Sequence, residues 1–125
     1  MKIINFTWRD YDAAVKTLAL MISDTKISKE IKCIYGVPRG GMVLAVSLSH
    51  ALDLQIVTPR YLDCIDKDIL VVDEICDTGK TLKQLNPKYS ATIHVTDWAI
   101  FRPTFSIAKK EKDTWIQYPW EIKLQ

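Results

Sequence analysis

The run Ile69-Leu70-Val71-Val72 constrains this chain more than any other feature. Four branched aliphatic residues in a row make a strand that hides both faces, since a half-exposed strand would alternate apolar and polar side chains. Burial on both sides requires helices above and below, hence an α/β fold around a central, mostly parallel sheet flanked by helices. The strand leads directly into a loop, Asp73–Gly79, that opens with two adjacent carboxylates. In parallel sheets that edge, at the carboxyl ends of the strands, is where ligands bind.

The rest of the chain supplies the expected alternation. From Thr7 to about Ile22, Trp8, Tyr11, Val15, Leu18 and Ile22 recur at helical spacing, with Thr7 as N-cap. Cys33–Val37 reads as a buried strand that meets Pro38-Arg39-Gly40-Gly41, a tight turn. Met42 to Leu52 gives a second helix, and Gln55–Thr58 a short strand ended by Pro59. A helix from Lys80 to Leu85 stops at Asn86-Pro87, and Thr92–Thr96 adds a strand. Weaker strand signals lie at Phe105–Ala108 and Trp115–Gln117. Without repeats, low-complexity stretches or a linker, residues 1–125 read as a single domain.

Bulk properties exclude several classes. No apolar run approaches the roughly 18–20 residues of a membrane span. Asp10 and Asp12 interrupt the stretch a signal peptide would need, so a cytoplasmic, membrane-free protein is expected. Cys33, Cys64 and Cys76 show no metal-ligand spacing and are odd in number, against a zinc site or a disulfide framework. A net charge of +2 gives no case for nucleic acid, and Lys109, Lys110 and Lys112 read as a solvated turn.

Residues 69–81 carry the chemistry: a strand, two acids, a hydroxyl- and glycine-containing loop and a helix start. Free backbone N–H groups there suit a phosphate. Asp73 and Glu74 beside such a site make sense if the ligand also brings diol hydroxyls or a metal ion. The same residues would also serve as an acidic turn and a capped helix, with Asp77 or Thr78 as N-cap. A nucleotide-triphosphate P-loop is excluded, because Glu74 stands where that pattern requires glycine.

Ile69–Thr81 resembles, throughout its length, the signature of the type I phosphoribosyltransferases, which bind phosphoribosyl pyrophosphate (PRPP). Pro38-Arg39-Gly40-Gly41 is similar to the family's pyrophosphate loop, and Asp113–Glu121 to the Trp-Ile…Pro-Trp-Asp segment of its bacterial xanthine–guanine branch. The resemblance implies transfer of a phosphoribosyl group from PRPP to a purine-type base, with Mg2+ as cofactor. It implies that Asp73 and Glu74 hold ribose hydroxyls, and through them or water the metal. Thr78, Gly79, Lys80 and Thr81 would hold the 5-phosphate, and Arg39, Gly40 and Gly41 the pyrophosphate. Asp77 would handle the proton on purine N7, Trp115 would stack on the base and the Ile116 backbone would meet its exocyclic groups. Glu121 matches an acidic position that would face metal or pyrophosphate, while Trp120 reads as a core or interface aromatic. Relatives are dimers or tetramers, so a homo-oligomer is expected.

Two departures from the pattern stand out. Only Pro59–Asp68, with Arg60-Tyr61, is available where purine-using relatives carry a long hood. Trp98 falls where they place a lysine near purine O6, with Asp97 beside it, a carboxylate that favours an amino over an oxo group. At the level of sequence both an active transferase and a catalytically impaired, ligand-binding regulator remain open.

Overall fold

The buried strand expected at residue 69 is the middle of the molecule. In this computed structural model, which describes residues 1–60 and 65–124, it lies third in a five-stranded sheet. Tyr61 and Cys64, and with them part of the expected hood, fall outside the described residues.

The elements in chain order are β1 (Lys2–Asn5), α1 (Trp8–Ser23), a 3-10 turn (Lys26–Lys29), β2 (Cys33–Gly36), α2 (Gly40–Leu52), β3 (Gln55–Ile56), β4 (Ile69–Cys76), α3 (Lys80–Leu85), β5 (Tyr89–Val95), β6 (Phe105–Lys109) and β7 (Thr114–Gln117). The main sheet runs β3-β2-β4-β5-β6, and every pairing in it is parallel. The chain leaves β2 toward one edge and leaves β4 toward the other, so the order reverses between those two neighbours. That reversal point, at their carboxyl ends, is the crevice where such sheets bind ligands.

Alternation along the strands feeds two apolar layers. Ile34, Leu70, Val72, Ala91, Ile93 and Phe105 pack beneath α1 and α2, while Tyr35, Ile69 and Val71 meet Leu82 of α3 on the opposite face. The first helix starts where Thr7 directs it: Thr7 Oγ1 accepts from the Asp10 N–H at 3.1 Å, and the Asp10 carboxylate accepts from the Thr7 N–H at 2.9 Å. Its buried stripe is Tyr11, Ala14, Leu18 and Ile22. Trp8 stays largely exposed, with its ring edge-on to Tyr11.

Two expectations need correction, and one strand was not expected. The second helix begins at Gly40, two residues before Met42, because the glycine turn itself winds into the first helical turn. The third strand keeps only Gln55 and Ile56, an edge with a single partner, β2. The N-terminal strand had no counterpart in the sequence reading. It pairs in parallel with β7 in a separate two-stranded sheet, Ile3 opposite Trp115 and Ile4 opposite Ile116. Among the described residues no helix is long and apolar enough to cross a membrane.

The C-terminal segment is tied to the main sheet by one buried polar link. The Tyr118 hydroxyl donates to the Glu74 carbonyl at 3.2 Å and lies 2.7 Å from Nδ1 of His94. With its own proton spent on Glu74, that hydroxyl receives the Nδ1–H of a neutral imidazole. Burial pushes His94 down to about 4 from an ordinary value of 6.5. Between these values the unfolded chain holds a proton that the folded chain does not, so His94 withdraws stability as pH falls from 6.5 toward 4. Urea midpoints at pH 7 and pH 4.5 test this. The margin by which the wild type exceeds His94→Gln should shrink at the lower pH, and a margin unchanged with pH would contradict it.

Candidate active site

Strand β2 ends at Gly36, opposite Val72, whereas β5 continues beside β4 as far as Val95, opposite Cys76. Asp73 and Glu74 therefore lie within a strand, not in the loop expected from residue 73, and the loop proper is Asp77–Gly79. On the side that β2 vacates, the turn into α2 closes in. A Cβ on Gly41 would lie 2.6 Å from the Val72 carbonyl oxygen, and one on Gly40 would overlap the Glu74 carboxylate. At Gly41 the obstacle is backbone, so a larger residue does not fit, whereas at Gly40 the Glu74 carboxylate would have to move aside. The Pro38–Arg39 peptide of this turn is cis, and Arg39 is exposed at its tip.

Burial holds the Asp73 carboxyl well above the usual carboxylate range, and the adjoining Glu74 carboxyl pushes it the same way. Its Oδ1 accepts the Glu74 N–H at 2.9 Å. A cation or a pair of hydroxyl donors brought by a ligand would relieve the pair.

Asp77 is clamped through both of its carboxylate oxygens. Oδ1 accepts from Nε1 of Trp98 at 3.1 Å and Oδ2 from Nζ of Lys110 at 3.2 Å, while its carbonyl accepts from the Thr96 hydroxyl. Gly79, at φ 83°, is the N-cap of α3 in place of Asp77 or Thr78. The positive φ suits glycine, and a Cβ would press on the backbone N–H of Phe101 at 2.8 Å. Thr78 fixes the loop: its carbonyl accepts from the Ile100 N–H at 2.8 Å and its hydroxyl from the Lys80 N–H at 3.3 Å.

Three hollows meet at this edge. Asp73, Asp77, Thr78, Gly79, Lys80 and Thr81 share in lining the smallest, about 130 Å³. A second, about 200 Å³, is bounded by Glu74, Ile75, Asp77, Lys110, Trp115, Ile116, Tyr118 and Glu121. Arg39, Gly40, Glu74, Trp120, Glu121 and Lys123 border the largest, about 720 Å³. Asp77 is common to the first pair, and Glu74 and Glu121 to the second and third. The structure thus gathers nearly every residue singled out in the sequence. Gly41 borders none of these hollows and lies beneath Asp73.

Trp115, 49% exposed, offers its indole to the middle hollow, and Ile116 is buried behind it. Trp120 packs against the core, stacked on Tyr118 at 5.1 Å and edge-on to Tyr11. One oxygen of Glu121 is already engaged, accepting the Tyr118 N–H at 3.0 Å.

Sequence reasoning missed Lys110. Assigned to a solvated turn, it instead continues the β6 ladder, its N–H donating to Val95 O at 3.0 Å, and its side chain enters the middle hollow. Its position two residues beyond Ala108, in step with the strand's alternation, was the available signal. Asp97, which had raised the prospect of an amino-bearing base, is paired outside the hollow with Lys109 at 2.9 Å.

No family model matches the chain. The xanthine-guanine phosphoribosyltransferase of Idiomarina loihiensis is 28% identical over 94% of this chain and 86% of its own length. The crystal structure of a purine phosphoribosyltransferase from Pyrococcus horikoshii is 31% identical, with a TM-score of 0.78 over 98% of this chain and 97% of that one. The xanthine-guanine-hypoxanthine phosphoribosyltransferase of Helicobacter pylori, at 23% identity, shares the fold with a TM-score of 0.76.

The contact between Gly40 and Glu74 makes a quantitative test. Gly40→Ala should destabilise the protein by about 1–3 kcal/mol through overpacking. In denaturant titrations Gly40→Ala/Glu74→Ala should recover most of that loss relative to Glu74→Ala alone. Additive effects would mean that the two residues do not constrain each other.

Proposed function

Because the chain belongs to the purine phosphoribosyltransferases, we propose that its three hollows divide one substrate pair among them as that transfer requires. The enzyme moves the 5-phosphoribosyl group of PRPP to a purine-type base, releasing pyrophosphate and forming a nucleoside monophosphate. One observation supports the assignment above the others. Asp77 borders both the hollow suited to a phosphate and the hollow walled by Trp115, so one carboxylate stands where sugar and base would join.

The loop Thr78–Thr81 receives the 5-phosphate with backbone N–H groups and the hydroxyls of Thr78 and Thr81, and Lys80 adds positive charge. Asp73, at the border of the phosphate hollow, and Glu74, between the base and pyrophosphate hollows, accept from the two ribose hydroxyls. Arg39, with the backbone around Gly40 and Gly41, holds the pyrophosphate. Trp115 stacks on the base, and the Ile116 backbone meets its exocyclic groups. As the bond from ribose carbon 1 to pyrophosphate breaks and purine N9 bonds to that carbon, the N7 proton passes to Asp77.

Among the described residues no three His, Cys, Asp or Glu side chains are grouped to cage a metal ion. Glu74 and Glu121 nevertheless border the hollow that contains Arg39. Such a donor set fits magnesium, which keeps its waters and binds through one or two carboxylates together with substrate phosphates. When bound, it neutralises charge on the departing pyrophosphate. Glu74, Glu121 and, through the ribose hydroxyls, Asp73 would face it.

A homo-oligomer, dimer or tetramer, is part of the same reading, supported by exposed Met42 and Val46 one turn apart on α2. We place the protein in the cytoplasm, where the free thiols of Cys33 and Cys76 stay reduced.

Pyrophosphate release from PRPP and magnesium, measured against a panel of bases, tests the function. Release should depend on a purine and fall about 10²–10⁴-fold in Asp77→Asn. Tight PRPP binding without release for any base would leave a regulator in place of an enzyme.

A further inference from the structure

Glu74 and Glu121 border the same two hollows but arrive there separately, Glu74 on β4 and Glu121 in the segment that follows β7. One residue holds both. The Tyr118 hydroxyl donates to the Glu74 carbonyl at 3.2 Å, and the Tyr118 N–H donates to the Glu121 carboxylate at 3.0 Å. A return bond from the Glu121 N–H to the Tyr118 carbonyl, also 3.0 Å, closes the turn between them.

The bond to Glu74 falls where the sheet no longer supplies one. Strand β2 ends opposite Val72, whose carbonyl still accepts the Val37 N–H at 2.9 Å, and Glu74 lies two residues further on. A strand carbonyl beyond its neighbour's end needs another donor, and Tyr118 provides it. The Glu74 carboxylate meanwhile rests against Gly40 of the α2 turn. Its backbone and its side chain are thus held from two directions.

The tyrosine ring does not need its hydroxyl to stay in place. It stacks on Trp120 at 5.1 Å and meets Phe6 edge-on at 5.7 Å, contacts that a phenylalanine would keep. With the residue 4% exposed, a hydroxyl there is costly unless it is bonded. Its partners are the Glu74 carbonyl and His94, so the polar atom serves the strand that carries the acids. Where a metal binds through few carboxylates, the groups bonded behind them govern how well it is held.

We infer that Tyr118 is a positioning residue, which sets Glu74 and Glu121 at the separation that PRPP and its magnesium ion require. The inference rests on the transferase reading and adds to it a residue that acts through the two carboxylates.

Calorimetric titration with PRPP at several magnesium concentrations tests it without any turnover. The proteins compared are the wild type, Tyr118→Phe, His94→Gln, Glu74→Ala and Glu74→Ala/Tyr118→Phe, each checked by thermal denaturation. Tyr118→Phe removes only the hydroxyl, whereas His94→Gln disturbs the far end of the link and leaves the bond to Glu74. Tyr118→Phe should weaken magnesium-dependent PRPP binding by about 10- to 100-fold, while His94→Gln keeps the wild-type affinity. In the Glu74→Ala background the loss of the hydroxyl should cost little more, because the carboxylate it places is gone. Wild-type affinity in Tyr118→Phe, equal losses in Tyr118→Phe and His94→Gln, or additive losses in the double variant would each overturn the inference. So would a Tyr118→Phe protein that does not fold, since the hydroxyl would then serve the fold alone. A wild type that binds no PRPP would instead bring down the transferase reading, and the inference with it.

Discussion

The binding edge depends on one mismatch of length: β4 continues as a strand for four residues after its partner β2 has turned away. The step leaves Asp73 paired with Thr92 of β5, and leaves both it and Glu74 without a partner in β2. Gly40 and Gly41 enter that opening as the first turn of α2, so that a helix N-terminus and an acidic strand end face each other across backbone rather than side chains. If β2 were longer the glycine turn could not approach, and if β4 were shorter the carboxylates would swing into solvent. The order of strands puts this step at the reversal point of the sheet, and the adjoining hollows follow from it.

A second dependence runs through Tyr118. Its hydroxyl spans from His94 on β5 to the Glu74 carbonyl on β4, and its ring stacks on Trp120, which in turn meets Tyr11 of α1. A segment with little regular structure is thereby fixed against the strand that carries the acids. The wall formed by Trp115 and Ile116 is thereby followed, two residues beyond Ile116, by an anchor on the acid-bearing strand.

Much of this was legible in the sequence, and the omissions have physical causes. The strand at residue 69, the turn at 38–41 and the helix at 80–85 are local features, written in runs of branched residues, glycines and an Asn-Pro stop. The extension of β4 through Asp73 and Glu74 was hidden because acidic residues have poor strand propensity, and here the ladder to β5 overrides it. The first strand was invisible because its partner lies more than a hundred residues away, Lys2 pairing with Thr114, and a four-residue segment carries no period of its own. Lys110 was obscured by its company. Three lysines within four positions look alike as composition, and only the register of β6 says which of them turns inward.

The two sheets also separate two jobs. Residues that would grip the sugar and its phosphates are set by the five-stranded sheet, while Trp115 and Ile116 ride on the ribbon of β1 and β7. Mutational drift in the ribbon can reshape the wall facing the base without shifting the register of the main sheet. The stacking wall can therefore vary while the grip on the sugar donor, and the polar side of the base hollow, stay fixed, like a lathe that changes its cutting tool but keeps its chuck.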